Sequence, residues 1–77
     1  MSKAMKLQRD LARRERAFLV PLSAYPEEIR RAVRQAYRQG VADELIGGRL
    51  FDEHYVAYPS FSLRLAYVAG GLDAVKS

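Results

Sequence analysis

The chain has 77 residues, with 13 lysines and arginines against nine acids and a net charge of +4, which suits one small domain with a modest core. It holds no cysteine, so disulfide scaffolds, thiolate metal sites and cysteine nucleophiles are excluded and a reducing, cytoplasmic setting is expected. Its apolar stretches fall short of the roughly 18–20 residues a membrane span needs, and no apolar signal core follows the basic start, so no membrane partner is expected.

Residues 1–18 are expected to form a basic amphipathic helix. On a wheel of 100° per residue, Ala4, Leu7, Leu11 and Phe18 fall on one side. Lys6, Arg9, Arg13 and Arg16 share the other, at spacings of three, four and three that keep them in one stripe. Such a stripe suits a row of phosphates. Residues 19–25 form a connector, in which Pro21 stops the helix.

A second helix is predicted over 26–46. Pro26 fits its first turn, and Glu27 and Glu28 sit where the helix dipole favours negative charge. Ile29, Ala32, Val33, Ala36, Tyr37 and Gly40 make its apolar stripe, while Arg30, Arg31, Arg34 and Arg38 crowd the opposite face. Like charges at this spacing repel, and an anionic partner would offset the cost. Gly47-Gly48 ends the helix in the left-handed conformation that glycine tolerates. No Lys-Ser or Lys-Thr follows that pair to make a phosphate loop.

Residues 47–60 are expected to be an irregular linker. It holds Asp52-Glu53-His54, the only cluster of histidine with carboxylates, whose adjacent side chains diverge and make no cage for a metal. Tyr55 and Tyr58 lie there too, and Tyr58 is the candidate ring to stack on an unpaired base.

Residues 61–75 carry two patterns. Phe61, Leu63, Leu65 and Tyr67 alternate as in a strand. Phe61, Leu65, Val68, Leu72 and Val75 recur at four-three-four-three, and Leu63, Tyr67, Gly70 and Ala74 form a second helical stripe. A helix apolar on both sides is either buried or an oligomer seam. An internal repeat favours the helix: Ala36-Tyr37-x-x-Gly40-x-x-Asp43 matches Ala66-Tyr67-x-x-Gly70-x-x-Asp73. The expected fold is therefore all-α, a small helical hairpin of 26–46 and 61–75 with the N-terminal helix added. An α+β fold with a β-hairpin at 54–68 is the alternative.

Two helices, each with an aromatic-x-x-Gly motif, joined by a proline-containing linker in a small basic chain, resemble the ribosome modulation factor family and its small phage and plasmid relatives. Tyr37 and Gly40 match the motif of the first helix, Pro59 precedes the second, and Tyr67, Gly70 and Ala74 match its aromatic, glycine and small residue. Tyr67 and Gly71 stand where that family carries two tryptophans, and the resemblance covers residues 29–76. It implies binding to ribosomal RNA and silencing of ribosomes.

Charge points the same way. Residues 1–40 carry a net +6 and residues 41–77 a net −2, and such asymmetry suits a polyanion or an acidic partner. No nucleophile elbow, dinucleotide fingerprint or cofactor motif is present, so neither an enzyme nor a cofactor or metal is expected. The expected function is non-catalytic binding of structured or ribosomal RNA through Arg30, Arg31, Arg34 and Arg38, aided by Lys6, Arg9, Arg13 and Arg16. The alternative is a small effector that docks on a host protein through 61–75. That segment also suits a seam between two copies of the chain.

Overall fold

A computed structural model describes residues 3–77, and Met1 and Ser2 of the expected 1–18 helix lie outside the described residues. Four α-helices follow one another: α1 (Lys3–Leu19), α2 (Glu27–Leu45), α3 (Phe51–Ala57) and α4 (Phe61–Lys76), with a 3-10 turn at Val20–Leu22. Among the described residues no strand occurs, so the β-hairpin alternative at 54–68 is overturned. Two further expectations are corrected. The 47–60 linker contains α3, and Pro26 stands just outside α2 as its N-cap, its carbonyl accepting from Ile29 and Arg30. No helix of the described residues is long and apolar enough to cross a membrane.

The core lies between α2 and α4. Gly40 of α2 faces the backbone of Tyr67 and Gly71, and Gly70 of α4 faces the backbone of Tyr37. As numbers rise along one helix they fall along the other, so the two run antiparallel. The repeat thus packs against itself. A Cβ built on Gly40 would meet the Tyr67 carbonyl oxygen at 1.9 Å, and one on Gly70 would meet that of Tyr37 at 2.0 Å. Only glycine permits this approach. Ala36 and Ala66 are buried beside it, and Tyr37 and Tyr67 are the two largest fully buried side chains.

The close approach sets the reach of the tyrosines. Tyr37 Oη donates to Asp73 on α4, and Tyr67 Oη donates to Asp43 Oδ2 on α2 at 2.5 Å. Every position of the Ala-Tyr-x-x-Gly-x-x-Asp repeat therefore acts twice, once in each direction across the helix pair. Burial, then the hydrogen bond to a carboxylate, pushes both phenols well above their ordinary value.

The other helices attach to the same aspartates. Arg14 of α1 bonds Asp10 at 2.8 Å and comes within 4.0 Å of Asp73, while Phe18 stacks on Tyr37 with ring centroids 4.9 Å apart. His54 of α3 lies 2.5 Å from Asp43, and Phe51 packs 5.5 Å from Tyr67. Arg64 of α4 closes the end of α3 by donating to the Tyr58 and Val56 carbonyls. Ser60 caps α4, its Oγ accepting from Leu63 N at 3.1 Å. Gly47 and Gly48 take positive φ after α2, and Gly48 N returns to the Asp43 carbonyl.

Candidate nucleic-acid interface

Two helices supply cations to one groove. Its walls are Ala12, Glu15, Arg16 and Leu19 of α1 and Arg34 and Arg38 of α2, with Val20 at the end. Phe18 and Leu19 pack on the core, and the Lys6, Arg9, Arg13 and Arg16 stripe of α1 is left exposed. Farther along α1, Lys6, Arg9 and Arg13 border a second hollow with Asp10. A basic track thus follows α1 and ends between α1 and α2.

The cations differ in what already holds them. Arg38 makes a two-pronged pair with Glu15, at 2.5 Å from Nε and 3.0 Å from the second nitrogen, and Glu15 pushes its guanidinium above the ordinary value. Arg31 pairs with Glu27 at 3.3 Å, and Arg13 pairs with Asp10. Arg14, hydrogen-bonded to the same carboxylate, holds Asp10 down at about 2, with further help from Ser77 and Arg13. Lys6, Arg9, Arg16 and Arg34 are exposed and make no ion pair among the described residues. Arg30 is half-buried, and its Nε is buried without a hydrogen-bond partner. Arg30 and Arg31 do not line this groove.

Tyr58 is half-buried. Its ring packs 5.6 Å from that of Tyr67, and it also borders a shallow hollow with Gln35, Arg38 and Gln39. Burial raises its phenol pKa. The ring is thus at once a core residue and the wall of a polar surface hollow beside Arg38.

Sequence reasoning missed two residues that decide the electrostatics. Glu15 neutralises Arg38, and nothing in the spacing announces a pair 23 residues apart. His54 pairs with Asp43 on α2 rather than with its neighbours Asp52 and Glu53. Asp43 is only 3 % exposed. Burial pushes its carboxyl up, but hydrogen bonds from Tyr67, His54 and Gln39 outweigh this and hold it below the ordinary value. The shared Ala-Tyr-x-x-Gly-x-x-Asp pattern was the available signal for Asp43.

Among the described residues no group of three histidines, cysteines, aspartates or glutamates is arranged to hold a metal ion. No family model matches the chain, and neither a curated protein nor a solved structure matches it.

Proposed function

We propose that this chain is a non-catalytic RNA-binding protein that grips structured RNA by its phosphates and acts on ribosomes in the cytoplasm. The observation that carries this is the meeting of Arg16, Arg34 and Arg38 from two helices in one groove, continued along α1 by Lys6, Arg9 and Arg13. Guanidinium forks match phosphate oxygens in pairs. Arg16 and Arg34 are unpaired among the described residues and stand ready for that contact. Arg38 must first leave Glu15, so its contribution is the smaller. Tyr58, beside Arg38 in the adjoining hollow, is placed to meet a base splayed from the strand. The resemblance to the ribosome modulation factor family supports the ribosomal assignment, and the antiparallel α2–α4 pair is what a helical hairpin of that kind would require.

The test is fluorescence anisotropy of a labelled RNA stem-loop, and of purified ribosomal RNA, with nuclease-treated protein. Arg16→Gln with Arg34→Gln weakens binding by about tenfold or more, while Lys76→Gln, on α4, leaves it nearly unchanged. Co-sedimentation with ribosomes is lost in the same double variant. Unaltered affinity of the double variant, or no binding by the parent protein, overturns the proposal.

A further inference from the structure

α4 is apolar on both sides, and only one side is covered. Leu63, Tyr67, Gly70 and Ala74 turn toward α2. Of the stripe Phe61, Leu65, Val68, Leu72 and Val75, only the middle residue, Val68, packs against the core. Val68 is half-buried, whereas Phe61 is 70 % exposed, Leu65 53 %, Leu72 54 % and Val75 63 %. The spacing four-three-four-three is that of a coiled-coil seam, which meets a like seam on a partner helix. Four large apolar side chains thus stand in solvent along one row, and contiguous exposure of that kind, unlike single scattered residues, points to an interaction face.

The stripe is also complementary to itself. Beside its C-terminal half lies a small apolar cleft of about 110 Å³, walled by Phe51, Val68, Gly71, Leu72 and Val75. Its N-terminal end carries Phe61, the most exposed large apolar side chain described. Val68 lies midway, seven residues from Phe61 and seven from Val75, which is about 10 Å along the helix in each direction. A two-fold axis at Val68 therefore sets the Phe61 of each copy beside the Val75 and the cleft of the other. Leu65 then faces Leu72. Ser62 and Ala69 on one flank and Gly71 on the other are small enough for close approach, and the acids that border the cleft, Asp43 and Glu44, belong to α2 and not to the row on α4.

We propose that a second copy of this chain docks antiparallel on the outer stripe of α4, with the Phe61 ring of each protomer seated in the cleft beside Leu72 and Val75 of its partner. Such a contact is isologous and closes as a dimer. The basic groove between α1 and α2 does not contribute to it, so the proposal stands or falls apart from the RNA assignment.

Sedimentation equilibrium of nuclease-treated protein across the micromolar range tests it, and the result expected is a dimer. Leu72→Glu, and separately Leu65→Glu, raises the dimer dissociation constant by about 30-fold or more. Both side chains are exposed in the protomer, so circular dichroism shows unchanged helix content. Orientation is read by disulfide trapping, since the parent chain has no cysteine. A mixture of Ser62→Cys and Lys76→Cys chains forms the cross-linked pair on mild oxidation, and Ser62→Cys alone does not. A monomer throughout the range, a dimer that tolerates both glutamates, a stripe occupied only by a different protein, or a cross-link between two Ser62→Cys chains each overturns the antiparallel dimer.

Discussion

A single methyl group at Gly40 or Gly70 collides with the backbone of the facing helix, at 1.9 and 2.0 Å. Backbone cannot rotate aside as a side chain does, so the helices must separate and both Tyr–Asp hydrogen bonds lengthen. Gly40→Ala or Gly70→Ala is expected to lower the melting temperature by more than about 10 °C, from a cost of about 3 kcal/mol. Gly71→Ala is the control. Its Cβ would lie 3.6 Å from the Gly40 carbonyl oxygen, an ordinary contact, and the change gains helix propensity, so melting stays level or rises. Asp43 sets the response to acid. Because its folded carboxyl is held below the ordinary value of 3.8, its contribution is complete above that value and is lost as pH falls through the depressed one. Asp43→Asn is expected to cost about 1.5–3 kcal/mol at pH 7, the range of hydrogen bonds to a charged group. The urea midpoint of the variant then falls less steeply between pH 5 and pH 3 than that of the parent. The tyrosines, glycines and aspartates of the repeat were visible in the sequence. Their crossed pairing was not, because two matched helices can pack in several registers and only the Gly–backbone contacts choose one.

α2 and α3 start without a side-chain cap, whereas α4 has one. Ser60 satisfies the Leu63 amide at the start of α4, and Ser60→Ala is expected to cost about 1 kcal/mol in chemical denaturation. The helical period of 61–75 and its strand-like alternation were both present in the sequence. The cap at Ser60 and the pairing of the repeat decide for the helix. α3 was missed because seven residues are too few for a helical period to stand out. It is held by tertiary partners that carry no local signal: His54 on Asp43, Phe51 on Tyr67, and Arg64 on its C-terminal carbonyls. The basic stripe of α1 was legible for the opposite reason, since charge and periodicity lie in one unbroken segment. Glu15 was not, and it moderates the site. Glu15→Gln removes a negative charge from the groove and frees Arg38, and RNA affinity is expected to rise by about two- to fivefold in anisotropy at low salt.

At the scale of the molecule, charge and apolar surface are sorted to different places. The chain folds into a flattened body of 36 × 29 × 15 Å, too thin to cover a helix on both sides. Basic residues of α1 and α2 occupy one groove, and the uncovered stripe of α4 lies on another helix. The excess of positive charge in residues 1–40 was plain in the sequence, whereas its division was a product of folding: Arg14 went to Asp10, Arg31 to Glu27 and Arg38 to Glu15. The salt dependence of RNA binding counts the phosphates that the remaining cations reach, because each neutralised phosphate releases counterions. The slope of log K against log salt should be steep for the parent protein and shallower by about 1.5–2 for Arg16→Gln with Arg34→Gln. An affinity insensitive to salt, or a slope left unchanged by losing both arginines, would contradict a phosphate-binding groove between α1 and α2.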